Sequence, residues 1–296
     1  MTRTILAILT AAVTAASGQQ RVFRAATELV SISVSVKRGN APVATLTAGD
    51  FRLFDNDVAQ TIEALSIEAV PLDVTLMMDT SGSTAGSLDR MKRDVSTIAG
   101  MLRPQDKVRL LTIGLTVDTA LPWQPARKDI SLTMQAVPGI SLVYDSLAVA
   151  LAHEPEQGRR HLVVAMTDGQ DCGSVIDGPR LVEMSGRSEA VLHWVWVSNS
   201  ADSPDFSIPA WCTPKDGGLV EYVGKAAEQT GGAKHRARFG DPAVKTFAQI
   251  LDEFRRSYVV HYAPKGVAGR GWHRVRVDVP GHSDYTIRSR PGYFGG

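Results

Sequence analysis

The sequence predicts an α/β fold: a doubly wound, mostly parallel sheet set between β-strands that form a small β-sandwich. Three observations predict it. Four apolar runs, VTLMMD, VRLLTIG, HLVVAMTD and AVLHWVWV, are hydrophobic on both faces, as strands of a parallel sheet covered by helices are. Amphipathic segments separate these runs, with apolar residues recurring at three and four. On either side of this zone the apolar pattern changes to period two, which describes half-buried antiparallel strands.

Taken in order, residues 1–18 come first. Arg3 precedes the apolar run ILAILTAAVTAA, and the small residues Ala16, Ser17 and Gly18 follow. That is the layout of a cleavable signal peptide, and the run falls short of the roughly 20 residues that span a bilayer. It predicts a secreted or periplasmic protein whose mature chain is not inserted in a membrane. Residues 19–70 hold the strand LVSISVSVKR, where Val30, Ile32, Val34 and Val36 alternate with polar residues. DFRLFDND follows, with a turn at Asn56 and Asp57.

Residues 71–256 form the α/β domain. In SLDRMKRDVSTIAGMLR, Leu88, Met91, Val95, Ile98 and Leu102 make one stripe, with Ser87 placed to cap it. In DPAVKTFAQILDEFRRS, Asp241 can cap, Pro242 suits the first turn, and Val244, Phe247, Ile250, Leu251 and Phe254 make another. Residues 257–296 return to strands in SYVVHYAP, WHRVRVDVP and YTIRSR. Each flank has too few strands to be stable alone, so the two are expected to pair into one sandwich with the α/β domain inserted between them.

Composition narrows the function classes. Hydrophobic residues make 44% and charged residues 21% of the 296, the balance of a folded globular chain. Losing residues 1–18, with Arg3, brings 32 basic and 31 acidic residues to parity. A neutral chain has no net field to gather nucleic acid or an anionic membrane. Export also makes a disulfide the default for Cys172 and Cys212. Both follow strands expected to be neighbours, and a bond between them would contribute about 3–4 kcal/mol in the loop-entropy model.

The candidate site begins at Asp79, where the run VTLMMD ends in an acid and then hydroxyls, Ser81 and Ser83. In a doubly wound sheet these lie at a strand's carboxyl end, where ligands bind. Two further strand-end loops offer oxygens: Ser141 in GISLVYDSL and Asp168 in MTDGQD. Converging acids and hydroxyls are hard donors of the kind that hold Mg²⁺. Asp171 reads as a solvated turn residue. No catalytic residue is predicted: no histidine pair has zinc-site spacing, no Walker sequence occurs, and His193 reads as a core histidine.

These residues carry a resemblance. Asp79-Thr-Ser81-Gly-Ser83 resembles the DxSxS motif of the von Willebrand factor type A (VWA) domain, and GISLVYDSL and MTDGQD resemble that family's second and third metal-binding loops. LTAGDFRLFDNDVAQTI before the domain, and SYVVHYAP and RPGYF after it, are similar to the bacterial VWFA-related subgroup. The resemblance implies a Rossmann-like fold and a metal-ion-dependent adhesion site (MIDAS). Asp79, Ser81, Ser83, Ser141 and Asp168 would hold Mg²⁺, or Mn²⁺ or Ca²⁺, and Asp168 would reach it directly or through water. Ser141 stands where the family usually has threonine; it keeps the hydroxyl but loses the methyl that restricts its rotamer. The implied function is adhesion rather than catalysis, with a protein partner supplying an Asp or Glu carboxylate. The alternatives are a structural secreted module with an empty cradle and a metal-dependent hydrolase. The second needs a base, and Asp145 and Asp171 are the only acids close in sequence.

Overall fold

The computed structural model describes residues 29–67, 70–80, 88–128, 130–132, 134–135, 141–198, 220–238 and 243–295. The leader 1–18, Ser81, Ser83, Ser87, Cys212, Asp241 and Pro242 lie outside the described residues.

Strand β1 (Val30–Arg38) buries Ile32, Val34 and Val36, as its alternation requires. After β2 (Ala41–Pro42), β3 (Arg52–Asp55) and β4 (Val58–Gln60) form a hairpin turning through Asn56 and Asp57, at φ 46° and 65°. Two successive left-handed residues suit the right-handed twist of a two-residue hairpin. β5 (Ala64–Ser66) then leads into β6 (Leu72–Asp79).

The alternating zone follows as α1 (Leu88–Met101), β7 (Lys107–Ile113), β8 (Val117–Pro125), α2 (Val143–Leu151), β9 (Arg160–Thr167), α3 (Gly178–Arg187), β10 (Val191–Ser198), α4 (Glu221–Gln229), β11 (Lys234–Arg238) and α5 (Ala243–Arg255). Its six strands stand in the order β11-β10-β9-β6-β7-β8, all parallel except β8, which runs against β7. The four apolar runs are the four inner strands, as expected. All eight residues of β6 are buried. Leu72, Val74, Leu76 and Met78 pack toward α1 and α5, in one core with Val95, Ile98, Phe247 and Ile250. Met77 faces the other side, with Leu147 of α2, Leu181 of α3 and Ala226 of α4.

The chain then returns through β12 (Tyr258–Tyr262), β13 (Gly271–Asp278), β14 (Tyr285–Ser289) and β15 (Gly292–Gly295). Two antiparallel sheets result, one in the order β14-β1-β12-β5 with β2 beside β1, the other β15-β13-β3-β4. Each mixes strands from both ends of the chain. Their shared core does too, with Ile32, Val34 and Leu53 against Val260, Tyr262, Val275 and Val277.

Candidate metal centre

The order of the parallel strands sets where a site can form. β6 is followed by α1 on one face of the sheet, while β9 is preceded by α2 on the other. Between the carboxyl ends of these neighbouring strands the helices part, which leaves the crevice where doubly wound sheets bind ligands. Asp79 ends β6 and Asp168 follows the last residue of β9.

Main-chain hydrogen bonds bring the loops together. Thr80 N–H donates to Ile113 O (2.9 Å) and Leu142 N–H to Gly114 O (2.9 Å), while Cys172 N–H reaches Ser141 O (3.0 Å). Ser141 is thereby held over Asp79, and its hydroxyl lies 3.3 and 3.4 Å from the two carboxylate oxygens. A second hydroxyl, absent from the residues expected here, comes closer: Thr167 Oγ1 donates to Asp79 Oδ2 at 2.9 Å and accepts Gly169 N–H at 3.1 Å. Its signal in the sequence was its place at the end of a strand, directly before Asp168.

Asp168 caps its own turn, its Oδ1 accepting Gln170 N–H at 2.9 Å. Burial, and then the charge of Asp79, push its carboxyl up to about 6. Gly169 makes this turn possible. It lies at φ 82°, and a Cβ there would come within 2.5 Å of Trp194 Cζ2. Trp194, fully buried, also donates its indole N–H to Thr167 O at 3.0 Å and so helps to fix the third loop.

Asp171 corrects an expectation. It is not solvated but 5% exposed, because it sits under the start of α2, accepting Tyr144 N–H at 3.0 Å and the Ser174 hydroxyl. Asp145 accepts Val175 N–H (2.8 Å) and Ile176 N–H (3.1 Å). Both acids hold the loop in shape. His193 is a core histidine, as expected, its Nδ1 lying 2.9 Å from His235 Nε2. Cys172 is disulfide-bonded, and Cys212 lies outside the described residues.

The donor set fits a hard divalent cation. Two hydroxyls converge on one buried carboxylate, and a second carboxylate is close enough for the first to raise its proton affinity. Such a pair is relieved by a proton or by a cation. Among the described residues no group of three His, Cys, Asp or Glu side chains is placed to hold a metal. Three of the five expected ligands are serines, and Ser81 and Ser83 lie outside the described residues.

Sheet order and site together define an α/β module with an acid-and-hydroxyl cluster at its switch point. No family model and no curated protein matches the sequence. VWA domains are among the solved structures to which the chain is similar. The von Willebrand factor type A protein from Catenulispora acidiphila is 11% identical, covering 92% of this chain and 75% of that one, with a TM-score of 0.47. BatB from Bacteroides thetaiotaomicron is 16% identical, covering 62% and 98%, with a TM-score of 0.43. Proximal thread matrix protein 1 from the mussel byssus, with a zinc-occupied MIDAS motif, is 14% identical, covering 68% and 50%, with a TM-score of 0.49. At these identities the chemistry of the site has to come from this chain's own residues.

Proposed function

We propose that residues 71–256 are a VWA-type module that holds a divalent cation and captures a carboxylate of a protein partner. The observation that carries this reading is the convergence of the Ser141 and Thr167 hydroxyls on Asp79, beside an Asp168 whose proton affinity Asp79 raises. Asp79, Ser81, Ser83, Ser141 and Asp168 would be the ligands. A bound Mg²⁺, Mn²⁺ or Ca²⁺ would supply a position open to an incoming Asp or Glu. The chain's part is to present few negative charges and several neutral hydroxyls, so that much of the cation's charge is left for the partner. Asp145 and Asp171 are committed to backbone N–H groups and a serine hydroxyl, which favours capture over catalysis.

The same reading has residues 19–70 and 257–296 making one β-sandwich around the inserted module. Residues 1–18 would direct export, and a Cys172–Cys212 disulfide would pin the loop after β10. That pairing is supported by a disulfide-bonded Cys172 in a sequence with two cysteines. Calorimetric titration of Mg²⁺ and Mn²⁺ into the full chain tests the core of the proposal. Saturable binding that disappears in Asp79→Asn supports it; unchanged affinity in the folded variant refutes it.

A further inference from the structure

The run KHRAR, residues 234–238, sets cations at alternate positions of β11, the edge strand of the parallel sheet. β11 pairs in parallel with β10, Trp194 standing opposite Lys234 and Trp196 opposite Arg236. Trp194 N–H donates to Ala233 O at 2.9 Å. In a parallel ladder the bonds then pass through His235 and Ala237, so the N–H and C=O groups of Lys234 and Arg236 point away from β10. Both residues are exposed, and among the described residues nothing pairs with those main-chain groups. An open row of donors and acceptors is a template for an added strand.

The side chains of the same two residues share one face. Lys234 Nζ lies 4.4 Å from the centre of the Trp194 ring and 3.9 Å from that of Trp196, and the Arg236 guanidinium lies 5.0 Å from Trp196. The rings fix where the cations stand but supply no counter-charge. Elsewhere Lys225 and Arg288 are each paired with a glutamate. Lys234 and Arg236 meet no carboxylate among the described residues. Burial, and then the charge of Arg236, lower the pKa of Lys234, as befits a cation short of an anion.

Edge and charge together select the occupant. A second copy is the wrong partner, because antiparallel pairing of β11 with itself about Arg236 sets Arg236 against Arg236, and like charges directly opposite destabilise a sheet. A neutral strand satisfies the main chain but leaves both cations unanswered. Phosphates answer the cations and the N–H groups but offer no donor to the Lys234 and Arg236 carbonyls. An acidic polypeptide answers all three.

We propose that β11 takes an extended segment of a partner protein as an added strand, with acids at the two alternate positions opposite Lys234 and Arg236. The site uses no residue of the metal loops, so it is tested on the full chain in EDTA. Fluorescence anisotropy compares a labelled Glu-Val repeat heptapeptide with its Lys-Val counterpart and with a Glu-Val peptide carrying central prolines, which lack the N–H that a ladder needs. The acidic peptide is expected to bind about tenfold more tightly than either, the scale of two cross-strand charge pairs. Arg236→Glu, an exposed change, should remove the preference for acid. In the parent protein, bound peptide should slow hydrogen exchange at the Lys234 and Arg236 amides, a readout that does not depend on the variant. Absent binding, binding indifferent to charge or to proline, a preference that survives Arg236→Glu, or exchange protection elsewhere would each overturn the proposal. So would an oligothymidylate that binds more tightly than the acidic peptide and displaces it, which would give the edge to a nucleic acid.

Discussion

At the amino end of the parallel sheet, Asp73 and Asp106 are 2% and 0% exposed, and each meets an arginine. Arg159 Nε donates to Asp73 Oδ1 at 2.6 Å, and Arg255 pairs with Asp106, which also accepts Leu72 N–H (2.9 Å) and Arg103 N–H (2.7 Å). At the carboxyl end Asp79 is nearly as buried, at 5%, and Ser141 and Thr167 bring hydroxyls to it. A neighbouring carboxylate is raised to about 6 rather than neutralised. The contrast separates two uses of a buried acid. A carboxylate whose charge is already balanced by guanidinium fastens the fold, and breaking such a pair strands a charge. One set among hydroxyls beside a second acid is, on the function proposed above, the place where a cation would be held.

The largest expected effect is therefore at the fastening end. Asp106→Ala leaves Arg255 and two N–H groups unsatisfied in the interior and should cost about 3–5 kcal/mol. Chemical denaturation measures it; a loss under about 1 kcal/mol would erase the contrast. Asp79→Asn is the matching change at the other end. It should lower Mg²⁺ affinity at least 100-fold, about 2.7 kcal/mol, while moving stability by no more than about 1 kcal/mol. Calorimetry and denaturation on one sample compare the two numbers, and equal losses of stability at both ends would break the distinction.

How much of this could be read from the sequence follows the same physics. The four inner strands were legible because each is solidly apolar. β8 and β11 were not, since each is an edge strand: β11 exposes Lys234 and Arg236, and its KHRAR carries no apolar run. Charged edges discourage stray pairing but hide a strand from a pattern search. Asp79 and Asp168 were legible because an acid stands at the end of a solidly apolar strand, whereas Ser141, just before α2, was singled out by the resemblance of GISLVYDSL to a metal-binding loop. Thr167 was not, because a hydroxyl on a β-branched residue is ordinary in a strand. Asp171 was misread because DGQDCGS has turn composition whether or not a helix start covers it. Glu253 interrupts the apolar face of α5, and its partners Ser35, Lys37 and Arg288 come from strands more than thirty residues away in sequence.

A third prediction uses pH to separate the ends. His161 lies at the amino end of β9, and burial, then the charges of His153 and Arg109, lower its pKa to about 3. The unfolded chain, with an ordinary histidine near 6.5, binds that proton first, so stability is full above about 6.5 and falls as pH drops toward 3. Between pH 7 and pH 5 this one group should remove about 2 kcal/mol. His235, lowered to about 4 by burial, acts in the same direction. Denaturation at both pH values should show a smaller drop in His161→Gln than in the parent; an unchanged slope would place the acid sensitivity elsewhere.

The smallest effect bears most directly on the site. Thr167→Val keeps the branched shape and the strand but deletes the hydroxyl that donates to Asp79 Oδ2 at 2.9 Å and accepts Gly169 N–H. If Thr167 only supported the turn, the variant would lose about 1 kcal/mol of stability and bind metal as before. If it also aims the Asp79 carboxylate, Mg²⁺ affinity should fall about tenfold, the scale of a lost supporting hydrogen bond around a ligand. Thr167→Ser restores the hydroxyl without the methyl and should restore most of that affinity. The three proteins, titrated with Mg²⁺ and unfolded in parallel, distinguish the roles, because support of the turn moves stability alone whereas aim moves affinity with it. Affinity equal across all three would leave the orientation of Asp79 to Ser141 and the first loop.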